Sequence, residues 1–152
     1  MAKFTINGMD ENAASFEQLS HITDSDKVPI LTAGAEVLKK FQVEKIKDYF
    51  AQRTGDLAKS ISYQIKGSGE DLHAYVTPKG KHSGSSTGKR KGKRRSNGKY
   101  SGTNAEVAYI LNYGSPRISA THWLENANEE AEEEVMESMQ SSWNEMLESK
   151  GL

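Results

Sequence analysis

Apolar positions along the chain switch between a period near 3.6 and a period of two, and the switches mark its elements. Phe4 and Ile6 alternate with polar residues up to Gly8, the pattern of a short edge strand, and Ala13, Phe16 and Leu19 then recur at helical spacing over 10–20. After a break at 24–26, Ile30, Ala33, Val37, Phe41, Ile46 and Phe50 form a stripe with Leu38 and Tyr49 beside it. A helix to about Gln52 is expected, with Asp26 as its cap and Pro29 as its first residue. Residues 53–57, around Gly55, read as a turn. Ile61, Tyr63 and Ile65 then alternate with polar neighbours, as do Leu72, Ala74 and Val76 beyond Gly67-Ser68-Gly69. That pattern predicts an antiparallel hairpin closed by Pro78.

Asn104 is the expected cap of a short helix over 105–113, with Val107, Ala108, Ile110 and Leu111 inward and Gly114 as its stop; a strand is the lesser option. From about Thr121 a longer pattern runs through Trp123, Leu124, Ala127, Ala131, Val135, Met139, Trp143 and Met146 or Leu147, and Gly151 closes it. A helix of some 28 residues would span about 42 Å, more than one small domain needs. Part of its stripe, carried by Trp123, Leu124, Val135, Met139 and Trp143, is therefore expected to cover a neighbouring subunit. The fold class that follows is α+β: a small antiparallel sheet against a central helix and a long C-terminal helix, in one domain over 1–152.

Charge changes this picture, because the net charge of −1 conceals a division. Lys79, Lys81, Lys89, Arg90, Lys91, Lys93, Arg94, Arg95 and Lys99 lie in one stretch with five glycines and no acid. Such a stretch cannot bury enough apolar surface to offset its ordering entropy. It is expected to form a flexible insertion over 79–104 that settles only against a negative surface. Folded back on itself, its tip could reach about 30 Å from the sheet. The C-terminal helix, 121–150, is its opposite: nine acids and no base fall between Glu125 and Glu148.

Candidate chemistry is sparse. There is no cysteine, hence no disulfide or thiolate site. The first twelve residues lack the apolar run of a signal peptide and no eighteen consecutive residues are apolar, so a soluble cytosolic product without membrane contact is expected. Gly84 to Arg90 resembles a phosphate-binding loop but has three residues between its glycines instead of four, and Arg90 where Ser or Thr should follow Lys89. His21, His73, His82 and His122 are dispersed, which argues against a metal site. Glu129 and Glu133 lie one helical turn apart on a face expected to be merely solvated, and Ser60 and Ser62 have no identifiable base. No enzyme, cofactor or metal is expected. Trp123 and Trp143 read as core or subunit contacts ahead of base-stacking platforms. Tyr100 reads as an anchor of the loop stem ahead of a stacking residue.

Three separated strings carry a further signal: Thr54-Gly55-Asp56-Leu57-Ala58-Lys59-Ser60-Ile61, Ala108-Tyr109-Ile110-Leu111-Asn112-Tyr113-Gly114-Ser115, and Thr121-His122-Trp123-Leu124-Glu125-Asn126-Ala127. In this order they resemble the head-tail joining or tail-completion proteins of long-tailed bacteriophages. Those typically show a T-G-x-L-x-x-S-I turn, a Y-A-x-x-V-E-x-G-T-like segment and a P-F-L-x-x-A-like helix start. The opening Phe4-Thr5-Ile6-Asn7-Gly8-Met9-Asp10 is similar to how many of them begin. Departures are Asn112 where an acid is common, Ser115 for Thr, and His122-Trp123 for Pro-Phe.

The resemblance implies a structural virion subunit, assembled in the host cytoplasm into a ring, hexameric by analogy, at the head-proximal end of a tail. Its partners would be itself, the tail tube or terminator, and the head connector. The basic loop would then meet acidic protein first, including the Glu-rich helix of an adjacent copy, with sequence-independent DNA second and solvent third. The alternative reading is a stand-alone nucleic-acid-binding module whose arm is 79–99.

Overall fold

The computed structural model describes residues 17, 19, 21–50, 55–81 and 103–151. The edge strand expected at Phe4 and Ile6, the P-loop-like string, Tyr100 and the cations from Lys89 to Lys99 lie outside them. Of the helix expected over 10–20, Glu17 and Leu19 are helical. The remainder is α+β, as the hydrophobic pattern predicts: α1 (Asp24–Tyr49), α2 (Asp56–Ser60), β1 (Ile61–Lys66), a 3-10 turn, β2 (His73–Pro78), α3 (Asn104–Tyr113) and α4 (Trp123–Ser149).

Helix α1 begins earlier than Pro29. Thr23 is its N-cap, and Asp26, three residues on, takes the Thr23 backbone N–H at 2.8 Å and the Thr23 hydroxyl at 2.9 Å. Asp26 is thus the reciprocal partner of the cap instead of the cap itself. Pro29 sits inside the helix, near enough to its start that only the Ser25 carbonyl loses an i→i−4 donor. The helix ends at Tyr49 because Phe50 is extended. The turn expected over 53–57 instead opens the short helix α2, entered through Gly55 at φ 66. The hairpin is antiparallel, with Ile61, Tyr63 and Ile65 opposite Pro78, Val76 and Ala74. Gly67, at φ 88, is required in its connection, since a Cβ there would lie 2.1 Å from the Asp71 carbonyl oxygen.

The long C-terminal helix has a partner of its own length within the chain. Helices α1 and α4, of 26 and 27 residues, lie antiparallel from end to end. Asn126 donates to the Tyr49 hydroxyl at 2.8 Å at one end, and Lys150 pairs with Asp26 at 2.9 Å at the other. Between them, Lys45 pairs with Glu130 and Lys40 with Glu134. The length of α4 is thus matched by α1 along its span. Small residues permit the close approach: Ala127 and Ala131 are fully buried, and Gly34 meets Val135 and Met139. Gly34 and Gln42 fall outside the apolar stripe read from the sequence, yet both are buried.

One core gathers the rest. Ile46 of α1, Leu57 and Ala58 of α2, Ile61 of β1, Ala108 of α3 and Trp123 of α4 form it, with Val43, Phe50, Val76, Val107, Leu111 and Leu124 packed around. Trp123 is 0% exposed, and its indole N–H donates to the Ala108 carbonyl at 3.4 Å. Its expected role as a subunit contact is corrected: the side chain is wholly consumed within this chain.

Two outcomes follow for stability. A Cβ on Gly34 would stand 2.8 Å from both Cγ and Sδ of Met139. Gly34→Val is expected to cost about 1–3 kcal/mol in urea denaturation by overpacking, most of it recovered in the Gly34→Val/Met139→Ala pair. The second concerns Asp26, whose pKa is lowered from 3.8 to about 2 by the Thr23 backbone N–H first, then by Lys150 and the Thr23 hydroxyl. A depressed carboxylate stabilises the fold above its unfolded value, and that contribution vanishes as pH falls through the folded value. The urea midpoint difference between the wild type and Asp26→Asn should hold from neutral pH to about 5, shrink below about 4 and vanish near 2.

Candidate assembly surfaces

The stem of the basic segment is built from both sides. At its start, Lys79 N–H donates to the Ser60 carbonyl at 2.9 Å, which extends the hairpin ladder one step past Pro78. At its end, Thr103 caps α3: its N–H donates to Glu106 at 2.8 Å and its hydroxyl accepts the Glu106 N–H at 3.1 Å. Thr103 therefore replaces Asn104 as the cap. Asn104, now the first helical residue, is buried and closes the stem. Its backbone N–H donates to Gly80 at 3.0 Å and its side-chain amide to Lys79 at 2.8 Å, while Lys81 bridges to Thr103. Of the nine predicted contact cations, Lys79 and Lys81 are described, and both are exposed on this stem. The residues on either side of 82–102 are thus held together at one point.

A second locus joins α3 to α4. Gly114, at φ 82, ends α3, and the chain turns back through a Ser115–Ile118 bridge. His122, the N-cap of α4, is left-handed at φ 50 and its side chain caps nothing. Asn112, 1% exposed, supplies the missing cap from α3. Its Oδ1 accepts the Leu124 N–H at 2.9 Å, its Nδ2 donates to Glu125 at 3.0 Å, and its carbonyl accepts the N–H groups of Thr121 and His122. An acid at this position would set a carboxylate against Glu125, whereas the amide offers one acceptor and one donor where each is required. Burial pulls the Glu125 pKa upward, but its own backbone N–H, Asn112 and Tyr113 outweigh it and the net shift is downward. The same carboxylate raises the Tyr113 phenol above its usual range.

The remaining predicted contact residues divide by environment. Leu124 packs on the core, Val135 and Met139 on Gly34, and Trp143 is half-buried. Sequence periodicity overlooked the outer face of α3, where Tyr109 is 65% and Tyr113 53% exposed with ring centroids 4.8 Å apart. Their spacing of four, about 100° around the helix from Ala108 and Asn112, is the signal that could have marked them. Ile118 and Met136 are also exposed. The acids of α4 separate as well. Glu130 and Glu134 face the lysines of α1, whereas Glu129, Glu133 and Glu137 form an outward row with no ion pair among the described residues.

Matches to known protein families, characterised proteins and solved structures were sought. None was found. Among the described residues, no group of three or more His, Asp or Glu side chains is placed to hold a metal ion, and no helix is long and apolar enough to cross a membrane. Among the described residues, the notable surfaces are the exposed stem lysines Lys79 and Lys81, an acidic helix face and an exposed tyrosine pair.

The Asn112 junction yields a direct test. Asn112→Asp keeps the acceptor for Leu124 but turns the donor toward Glu125 into a like charge. A loss of about 2–4 kcal/mol at neutral pH is expected in chemical denaturation, largely restored by adding Glu125→Gln.

Proposed function

We propose that this chain is a structural virion protein, a tail-completion or head-tail joining subunit of a long-tailed bacteriophage. It works by binding and closure, as a ring of identical copies at the head-proximal end of the tail, in contact with the tail tube or terminator and with the head connector. The observation that carries this reading is that the three strings behind the resemblance meet in one packing unit. Leu57, Ala58 and Ile61 come from the first string, Ala108 and Leu111 from the second, Trp123 and Leu124 from the third. Short apolar strings coincide easily when they are unrelated in space. Strings that pack on one another are tied by a shared physical constraint, and their order is then informative.

Charge supports the same reading. A ring requires two different complementary surfaces on each copy. The chain carries a basic arm on a closed stem and an outward row of Glu129, Glu133 and Glu137. In this reading the arm meets acidic protein before it meets DNA, since firm capture of phosphates would impede passage of DNA through the tail.

Light scattering and mass photometry at low and moderate salt should find a ring, or a monomer that assembles as concentration rises. A strict monomer that binds duplex DNA with a slope near −5 in log K against log salt, as about six phosphate contacts would give, overturns the proposal in favour of a nucleic-acid-binding module. Deletion of residues 81–99 should abolish head-to-tail joining; particles that still join would remove the arm from the contact.

A further inference from the structure

The sheet of the described chain has two strands, and the parity of its ladder shows which edge is open. Lys79 N–H donates to the Ser60 carbonyl one step beyond the Ile61 and Pro78 partners. Bonded and non-bonded pairs alternate in an antiparallel ladder. Ser62 with Thr77, Gln64 with Tyr75 and Lys66 with His73 are therefore the bonded pairs. The main-chain groups of Tyr63 and Ile65 and the Ile61 carbonyl point away from β2, and among the described residues no backbone partner meets them. The far edge of β2 differs: Pro78 has no N–H, and just past it Gly80 accepts the Asn104 N–H at 3.0 Å, so the stem flanks that side.

Beside this edge a groove of about 410 Å³ runs along the flank of α1. Glu36, Lys39, Lys40, Glu44 and Lys47 line it around Val43, and the Tyr63 hydroxyl reaches Glu36 at 3.3 Å. Such a row suits neither an apolar insert nor a partner of one charge sign. Reversed about its own midpoint, between positions 41 and 42, it is its own complement: Glu36 comes opposite Lys47, and Glu44 opposite Lys39 and Lys40. A two-fold contact between identical copies requires a self-complementary surface of this kind.

The strand leads to the same midpoint independently. A two-fold axis that sets all the outward groups of β1 against those of a second β1 passes through Tyr63, with Ile61 opposite Ile65. Ile61 and Ile46 share the core at one end, and at the other Gly69 is held by Asp24 at 2.9 Å and by Lys27 at 3.3 Å. Strand and helix therefore run side by side in opposite directions. Tyr63 lies about 6.6 Å beyond Ile61, which corresponds to about four residues back along α1 from Ile46. That is position 42, so one axis serves both elements. Helix α1 lies against both strands. With strands about 4.8 Å apart, the two copies of α1 would stand about 10 Å apart, the ordinary helix-packing distance. Helix α4 leaves this flank free, since it meets α1 through Gly34, Gln42 and Lys45, none of which lines the groove. Lys40 serves both sides: it pairs with Glu134 at 3.3 Å and its ammonium has further donors.

We propose that a second copy of this chain docks on the open edge of β1 about a two-fold axis at Tyr63. The product is a four-stranded sheet in the order β2-β1-β1-β2, backed by two antiparallel α1 helices, with Glu36 of each copy paired to Lys47 of the other. The contact is independent of the phage reading, in which ring neighbours meet through unlike surfaces, and the failure of either leaves the other standing.

Sedimentation equilibrium and amide hydrogen exchange on the full chain test it. A monomer–dimer equilibrium is expected, with protection of the Tyr63 and Ile65 amides rising over about a hundredfold range of concentration. The Ser62 and Gln64 amides, bonded to β2, should stay protected throughout. Lys47→Glu sets like charges together and should weaken dimerisation at least about tenfold at low salt, whereas Glu36→Lys/Lys47→Glu should return it to within about threefold of the wild type. Positions 36 and 47 lie about three turns apart on α1, so that rescue cannot arise within one copy. A strict monomer overturns the proposal. So does a dimer indifferent to Lys47→Glu or unrescued by the double substitution, and so does exchange of the Tyr63 and Ile65 amides that ignores concentration.

Discussion

Two helices of nearly equal length lie together over about 40 Å, and the small residues where their axes come nearest set how closely they pack; this pairing organises the molecule. Gly34 on α1, facing Met139, and Ala127 and Ala131 on α4 provide that clearance. Once α4 is aligned on α1, its first residue, Trp123, enters the space where α1 ends, and Leu57, Ala58, Ile61 and Ala108 close around the indole. The hairpin is held by the same arrangement. Two strands are marginal in water, and these are ordered because α1 lies beneath them.

The pairing also sorts the charge. Lys40 and Lys45 draw Glu134 and Glu130 to one flank of the helix pair, where exposed ion pairs contribute little energy but fix which acids are engaged. Glu129, Glu133 and Glu137 face outward. An acidic helix that reads as uniform in the sequence therefore has Glu130 and Glu134 engaged by α1 and an outward row that is not.

The junctions show how polar groups replace apolar ones where the chain reverses. Asn112 caps α4 from a different helix because His122, in a left-handed conformation, offers no side-chain acceptor. Asn104 closes the stem of the basic segment with its backbone and its amide together. Each amide supplies a donor and is buried where an ion would be costly. The stem thereby joins both ends of the basic segment at one point of the fold.

Periodicity alone determined the α+β class, the hairpin and its face, the extent of α4 and the Gly114 stop, because these follow from local spacing and from the conformational freedom of single residues. Helix starts were misread by one to five residues, since capping depends on which of several adjacent polar side chains finds a backbone partner, and Thr23 and Thr103 were the ones that did. The destination of the α4 stripe was not legible either: a stripe specifies an apolar surface but not its occupant, and only the antiparallel fit of α1 directed Trp123 and Met139 inward. The burial of Gln42, Asn104 and Asn112 and the exposure of Tyr109 and Tyr113 likewise came from tertiary structure. A side chain's polarity states the cost of burying it, whereas the partners that offset that cost arrive from distant parts of the chain.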